Sequence, residues 1–273
     1  MNHTITRRSV DAHITEYNKV RAMDPLAPPL VFGETNSLYN QGRPGLSNTF
    51  GAALWGIDFN LYSASVGFKR VHMHQGTNYR YAAWQPVSTT NATIGTKAPY
   101  YGSIFVAAAL GNLISRSARV VALSPAAEES VTPLPHDSAY ATYTYQGTRL
   151  ARIVILNMHS YNTTVAGHGL EQLSVVPPRP ERKYTIALEN HKPGTPVPVR
   201  RLLANGSDAI TGITFDGWNY NWELAKGKPV RLANVTIGET VVVDDAGRVV
   251  VTMPDSSAVL LDLEEANGGG YEG

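Results

Sequence analysis

The chain has 273 residues, of which 43% are hydrophobic, and its formal net charge is +1. This length holds one large domain or two smaller ones with enough apolar residues for a core. The near-neutral charge gives no electrostatic signature of a nucleic-acid partner, and no block of Lys and Arg indicates a membrane surface, so we expect neither partner. The chain has no cysteine, which excludes disulfides and thiolate metal sites.

A helix and a strand are predicted near the start. Apolar positions over residues 10–22 recur at helical spacing and predict one amphipathic helix. The apolar run at residues 30–32, bounded by prolines and by Gly33, is typical of a buried parallel strand. It presents Glu34 at its carboxyl end, where α/β barrels place their chemistry. Glu34 is therefore a candidate catalytic group, and the alternative is a salt-bridge or capping residue.

Two further helices flank a second predicted strand. One helix is predicted from an N-cap at Ser47 to about Ser65. Residues 69–74 form a short strand, a long loop follows, and a third helix covers about residues 99–115. This order of elements implies parallel pairing of the two strands. Because two strands do not make a self-sufficient domain, residues 1–118 are interpreted as the last βα units of an incomplete (β/α)8 barrel.

Beyond the third helix the hydrophobic pattern changes to a period of two. Short apolar runs separated by turn residues are typical of an antiparallel β-sandwich. A turn is predicted at Gln146-Gly147 and a hairpin turn at residues 244–247. We assign residues 119–265 to the sandwich and the glycine-rich residues 266–273 to a disordered tail. The predicted strands are residues 143–145, 150–156, 184–188, 197–203, 210–215, 230–237, 241–243, 249–251 and 259–263.

The two predicted domains have apolar surface available for contact. Trp218, Tyr220 and Trp222 alternate along one face. Such a row can stack on sugars, but an interdomain or core contact is the interpretation we favour. Phe50 and Leu54 lie on the apolar face of the second helix, and the incomplete barrel is expected to leave part of that face uncovered.

The residues around Glu34 resemble one enzyme family. The segments that carry the likeness are Gly33-Glu34-Thr35, Tyr39, Ser47-Asn48-Thr49-Phe50, Tyr79, Tyr81 and Lys97-Ala98-Pro99-Tyr100-Tyr101-Gly102. In order and spacing they are similar to the carboxyl-terminal half of glycoside hydrolase family 79, the β-glucuronidase and heparanase group, and most of all to fungal secreted β-glucuronidases. The resemblance runs from about Met1 to about Leu263. It implies a retaining mechanism on a β-glucuronide or related glycoside, without a cofactor, in which Glu34 is the nucleophile.

A retaining glycosidase needs a second carboxyl group about 5 Å from the nucleophile to protonate the leaving oxygen. The resemblance implies that this acid/base Glu lies before residue 1. Asp58 and Asp137 are poor substitutes, since the first is predicted inside a helix and the second in the linker to the sandwich. The chain is therefore expected to be a fragment that carries the nucleophile, lacks the amino-terminal barrel half and is inactive alone. The alternative is a non-catalytic β-sandwich protein, inactive or weakly carbohydrate-binding.

Tyrosines and histidines follow both predicted strands. By resemblance Tyr39 is a subsite residue, and a tyrosine packed over the barrel mouth is the alternative. The family places an aromatic hydroxyl against the sugar carboxylate near Tyr79 and Tyr81, and the sequence leaves open which of the two it is. His72 and His74 point to the same side of the second strand, and we assign His72 to sugar hydroxyls and His74 to packing. A zinc site needs more ligands than this pair supplies, so no metal is expected.

Five Asn-x-Ser/Thr sequons are spread along the chain. They begin at Asn2, Asn91, Asn162, Asn205 and Asn234. Five sequons favour passage through the secretory pathway, with these asparagines as glycosylation sites, so the parent protein is predicted to be secreted. The chain itself opens without a signal peptide, which fits a Met1 that is internal to a longer parent.

Overall fold

The computed structural model describes residues 1–113, 117–124, 135–144, 148–188 and 191–266. The turn predicted at Gln146-Gly147 lies outside the described residues. So do the last residues of the predicted third helix, at 114–115, and the predicted tail from residue 267 onward.

Three long helices occupy the first part of the chain. They are α1 (His3–Met23), α2 (Phe50–Ser65) and α3 (Ala98–Leu110); two single-turn helices, α4 (Trp222–Ala225) and α5 (Leu263–Ala266), come later. The first helix begins earlier than predicted because the Asn2 side chain caps it by accepting a hydrogen bond from the Ile5 N–H. No described helix is both long and apolar enough to cross a bilayer.

The start of α2 differs from the sequence prediction. The residue before the helix is Thr49, which has an extended backbone. Ser47 is not the N-cap, because its Oγ accepts a hydrogen bond from the Arg43 N–H at 3.0 Å and is committed to the preceding loop. The predicted cap was therefore wrong by two residues, although the predicted end at Ser65 is confirmed.

Fifteen strands are described. Two of them, β3 and β4, pair within the segment predicted as a long loop. The runs predicted at 210–215 and 230–237 contain strands of only two residues each. The strands are β1 (Val31–Thr35), β2 (Arg70–Met73), β3 (Trp84–Gln85), β4 (Gly95–Thr96), β5 (Arg119–Leu123), β6 (Asp137–Thr144), β7 (Arg149–Asn157), β8 (Glu181–Ala187), β9 (Pro196–Leu203), β10 (Thr214–Phe215), β11 (Trp218–Asn219), β12 (Val230–Arg231), β13 (Glu239–Val242), β14 (Arg248–Pro254) and β15 (Ser257–Asp262).

Strands β1 and β2 pair in parallel, as the order of elements predicts. One face of this pair is covered, because the Phe32 ring stacks on Phe68 at 4.1 Å and packs on Phe59 of α2 at 5.1 Å. The opposite face is open, with Val31 42% exposed and His72 also exposed. Two parallel strands do not by themselves define a barrel, and one face of the pair is open in the described part of the chain.

Most of the remaining strands form a large antiparallel sheet. Its order is β12-β11-β10-β9-β15-β7-β6-β5, with β13 pairing on β9, so it has nine strands. Strands β8 and β14 form a second, two-stranded sheet, and an apolar core joins the two sheets. The turn at residues 244–247 forms, with the Asp244 N–H donating to the Arg248 carbonyl at 2.8 Å. Its flanking strands nevertheless pair in different sheets, so the predicted hairpin pairing was wrong.

Helices α2 and α3 cover the other face of the nine-stranded sheet. Phe50 and Leu54 of α2 are fully buried, and the Phe105 ring of α3 lies 5.2 Å from that of Phe215 on β10. The expectation that this helix face stays partly uncovered was therefore wrong, since the sheet supplies the missing partner surface. The segment that carries β1 and β2 thereby packs on the part of the chain that forms the nine-stranded sheet.

The three residues of the predicted aromatic row, Trp218, Tyr220 and Trp222, do not all lie in the same environment. The Tyr220 ring packs on those of Tyr100 and Tyr101 at 5.6 and 6.0 Å, and a Cβ on Gly95 of β4 would lie 2.3 Å from the Trp222 Cβ. These two aromatics form the contact between segments that the sequence favoured. Trp218 lies apart, under an Arg231 guanidinium at 4.4 Å.

Candidate active site

The carboxyl ends of β1 and β2 lie side by side. Thr35 pairs with Met73, and the His74 N–H donates to the Thr35 carbonyl at 2.9 Å. Asn36 Nδ2 donates to the His74 carbonyl at 3.0 Å. The strand does not stop at Gly33 as predicted, because this pairing continues through Thr35. Glu34 is therefore the penultimate residue of the strand, and its side chain is exposed rather than committed to the core.

Two tyrosines and a histidine form a cluster beside this edge. The rings of Tyr79 and Tyr81 stack with centroids 5.3 Å apart. His74 Nδ1 lies 3.1 Å from the Tyr81 hydroxyl, and its ring meets Tyr79 edge-on at 5.0 Å. Gly76 permits this arrangement, because a Cβ there would lie 1.7 Å from the Tyr79 ring. Packing thus holds the three rings against one another.

The charge of Glu34 acts on this cluster. Burial raises the pKa of the Tyr81 hydroxyl, and the neighbouring Tyr79 and the Glu34 carboxylate raise it further. Tyr81 is only 5% exposed. Its hydroxyl therefore stays protonated at neutral pH and lies within hydrogen-bond distance of His74 Nδ1, close to a carboxylate.

The other predicted ligand residues are more exposed. Tyr39 is 85% exposed on the loop after β1, and His72 lies exposed on the open face of β2. The structure thus brings Tyr79, Tyr81 and Glu34 together and leaves Tyr39 and His72 at the surface. His74, which the sequence assigned to packing alone, also contacts the Tyr81 hydroxyl. Across the described ranges, no group of three or more His, Asp or Glu side chains is placed to hold a metal ion.

Asp58 is bound in the core. It is fully buried on α2, where its carboxylate accepts a hydrogen bond from the Tyr140 hydroxyl at 2.6 Å and contacts His3 Nδ1 at 2.9 Å. A carboxyl group held in this way has no access to a sugar.

Asp137 is equally inaccessible. It does not lie in a linker as predicted but begins β6, because it pairs with Asn157 of β7. Its carboxylate accepts from the Tyr184 hydroxyl at 2.9 Å and lies 3.1 Å from His159 Nδ1. Burial raises the pKa of Asp137 against the opposing effect of His159.

The five sequon asparagines lie in different environments. Asn162, Asn205 and Asn234 are exposed. Asn2 is half-buried at the N-cap of α1. The Asn91 side chain is half-buried and makes hydrogen bonds with three other side chains or backbone groups, among them Arg80, whose Nη2 donates to Asn91 Oδ1 at 2.6 Å. The sequence gives no signal for these contacts because they join segments far apart in the chain.

Comparisons with known proteins agree with this architecture. Residues 139–260 match the Glycosyl hydrolase family 79 C-terminal beta domain. The chain is 58% identical over 246 residues to a β-glucuronidase of Neurospora crassa, a match that covers 86% of this chain and 44% of the relative. It is 50% identical over 267 residues to a β-glucuronidase of Aspergillus niger, with 96% of this chain and 47% of the relative covered. The chain thus spans about half the length of the curated relatives it matches.

A solved structure shares the fold. The crystal structure of a 4-O-α-L-rhamnosyl-β-D-glucuronidase from Fusarium oxysporum superimposes with a TM-score of 0.68 at 23% sequence identity. The superposition covers 95% of this chain and 49% of that chain.

Proposed function

We propose that this chain, which contains the C-terminal β domain of glycoside hydrolase family 79, is the carboxyl-terminal portion of a retaining β-glucuronidase with Glu34 as the nucleophile. The observation that carries the proposal is the exposed Glu34 carboxylate at the carboxyl end of β1, beside the tyrosine pair that follows β2. In this proposal β1 and β2 are the last two strands of a (β/α)8 barrel, whose active sites lie at this end of the strands.

The proposed chemistry assigns a role to each side chain. Ionised Glu34 attacks the anomeric carbon while the glycosidic C–O bond breaks, and the acid/base carboxyl protonates the departing aglycone oxygen. The same group then takes a proton from water, which hydrolyses the glycosyl ester and restores the Glu34 carboxylate. The Tyr79 or the Tyr81 hydroxyl donates a hydrogen bond to the sugar carboxylate without placing a competing acid beside it. His74 holds the Tyr81 hydroxyl, while Tyr39 and His72 bind sugar from the rim of the site. No step in this scheme requires a cofactor.

The acid/base carboxyl is proposed to come from the part of the enzyme that this chain does not span. The two candidates within the chain, Asp58 and Asp137, are buried and bound to tyrosine hydroxyls. The curated relatives are about twice as long as the segment they share with this chain. Barrel strands that precede β1 would bring the second carboxyl to the distance of about 5 Å that retention requires. The isolated chain is accordingly proposed to be inactive.

We also propose secretion of the complete enzyme, since three of the five sequons lie exposed. An enzyme outside the cell would act on glucuronides released or displayed there. No helix among the described residues is long and apolar enough to span a membrane, and the proposal includes neither a membrane nor a nucleic-acid partner.

The experiment replaces Glu34 in the enzyme completed by the amino-terminal portion of the Neurospora crassa relative. Glu34→Gln should lower kcat on an aryl β-glucuronide by about three orders of magnitude or more, because the amide cannot form the ester. Glu16→Gln is the matched control, since Glu16 is exposed on α1 and pairs only with Lys19 at 2.7 Å among its described contacts. Substantial activity in Glu34→Gln would remove Glu34 from the role of nucleophile.

A further inference from the structure

A polar network joins the loop after β1 to the loop between β2 and β3 and to the connection between β3 and β4. We call it the inter-loop network; its side chains are Gln41, Asn78, Arg80 and Asn91. Asn91 Nδ2 donates to Gln41 Oε1 at 3.0 Å, and Arg80 Nη2 donates to Asn91 Oδ1 at 2.6 Å. The Asn91 N–H donates to Asn78 Oδ1 at 3.1 Å. The Asn91 amide therefore uses both its donor and its acceptor, and it links two loops that are 50 residues apart in the chain.

The network also fixes the backbone of the first loop. The Arg80 N–H donates to the Gln41 carbonyl at 2.9 Å. The next residue, Gly42, lies so close to the site that a Cβ there would be 3.1 Å from the Tyr81 ring. The Gly42 N–H in turn donates to the Tyr39 carbonyl at 3.4 Å. The position of Tyr39 relative to Tyr81 thus depends on how the two loops are held.

The same asparagine begins a sequon, Asn91-Ala92-Thr93. N-linked glycans attach to the side-chain amide nitrogen. In Asn91 that atom donates to Gln41 and to the Asn78 carbonyl at 3.4 Å, and the side chain is half-buried. A glycan there would remove one donor hydrogen and would have to displace one loop from the other. The exposed sequon asparagines carry no comparable bridge between these loops.

We infer that Asn91 stays unglycosylated and is a positioning residue, which holds the loop of Tyr39 at a fixed position relative to Tyr79 and Tyr81. The part of this inference that concerns substrate rests on the proposed function. The part that concerns the loops does not, because the hydrogen bonds that join them are independent of any reaction. Without the Asn91 side chain the first loop loses its bridge to Asn91 and becomes more mobile, although the Arg80 N–H to Gln41 carbonyl bond remains, while Glu34 stays on its paired strand.

The first test compares Asn91→Ala with Thr93→Ala in the chain expressed through the secretory pathway, where sequons can be glycosylated. Thr93→Ala removes the sequon but keeps the network, since Thr93 Oγ1 contacts only Lys97 Nζ, at 2.8 Å, among its described hydrogen bonds. Peptide mass spectrometry should find Asn91 unmodified in the wild type. In amide hydrogen exchange, Asn91→Ala should accelerate exchange over residues 39–43 by about tenfold or more. Thr93→Ala should leave that rate unchanged, and β15 should be unaffected in both variants.

A glycan on Asn91, or unchanged exchange in Asn91→Ala, would overturn the inference whatever the state of the other sequons. The kinetic test uses the completed enzyme and an aryl β-glucuronide. Asn91→Ala should raise KM about tenfold and change kcat less than about twofold, because binding residues move while the nucleophile does not. A purely structural role would instead reduce the folded fraction and so lower kcat at constant KM. If every form, including wild type, were inactive on β-glucuronides, the proposed function would fail, while hydrogen exchange would still decide the role of the network.

Discussion

The contact between α2 and the nine-stranded sheet can be tested through one buried hydrogen bond. Tyr140 of β6 and Asp58 of α2 are both fully buried, and the tyrosine hydroxyl donates to Asp58 Oδ1 at 2.6 Å. Asp58 Oδ2 has no hydrogen-bond partner within the described part of the chain. Tyr140→Phe therefore leaves a buried carboxylate with His3 as its remaining side-chain partner. A hydrogen bond to a charged group contributes about 1.5–3 kcal/mol, so the free energy of unfolding should fall by about that amount.

Urea denaturation followed by tryptophan fluorescence measures this loss directly, and Tm should fall by roughly 3–12 °C for a chain of this size. Tyr143→Phe is the control on the same strand. Tyr143 is half-buried and its ring lies 4.7 Å from the Arg119 guanidinium, a contact that phenylalanine keeps, so the change should stay within about 0.5 kcal/mol. A Tyr140→Phe variant as stable as wild type would refute the described docking of α2 on the sheet.

Three further predictions follow from the same structure. Tyr81→Phe in the completed enzyme should weaken transition-state binding of a β-glucuronide by about 1–3 kcal/mol more than that of the matching β-glucoside, because only the glucuronide has a charged carboxylate that loses a hydrogen-bond donor; equal losses on both substrates, measured as kcat/KM, would show that the tyrosine only shapes the pocket. Burial lowers the pKa of His159, although the neighbouring Asp137 carboxylate opposes this shift. The unfolded chain therefore binds a proton at this histidine more readily than the folded chain does. The stability that the neutral imidazole contributes is present above pH about 6.5 and is lost as the pH falls from there through the lower pKa of the folded state. Urea titrations of His159→Gln should accordingly show a shallower loss of stability than wild type between about pH 7 and 5, and parallel curves would contradict this origin. Residues 1–273 expressed alone should show no hydrolysis of an aryl β-glucuronide above that of Glu34→Gln in the same chain, whereas turnover by the isolated chain would place the proton donor within it.

Local sequence patterns predicted the elements but not all of their ends. The apolar run before Gly33 predicted a parallel strand, and β1 is one. Its end was misplaced because pairing with β2 continues to Thr35, which depends on a strand far along the chain. Ser47 has the chemistry of an N-cap, but its hydroxyl is taken by the Arg43 N–H. Each error in an element boundary arises where a backbone group makes a hydrogen bond that local sequence preferences do not predict.

Long-range packing explains the larger difference between the sequence prediction and the structure, which concerns the apolar face of α2. The sequence predicted too little partner surface for the apolar face of α2 and left part of that face uncovered. The nine-stranded sheet buries Phe50 and Leu54 completely, and no periodicity in α2 indicates which surface will do so. For the candidate site, the resemblance to the family implied that Glu34 and one of Tyr79 and Tyr81 act on the same sugar. The contacts of His74 and Asn91 depend on how two loops fold against each other, so they appear only in three dimensions.

The central claim is that Glu34 forms a covalent bond to the sugar, and trapping of that intermediate tests it most directly. A 2-deoxy-2-fluoro-β-glucuronyl fluoride should glycosylate the completed enzyme at its nucleophile with loss of fluoride, because the fluorine at carbon 2 slows breakdown of the ester while the good leaving group allows it to form. Peptide mapping should place one fluoroglucuronyl group on Glu34, and the Glu34→Gln variant should remain unlabelled. A label on another carboxylate, or release of product with inverted anomeric configuration and no adduct, would contradict the assignment.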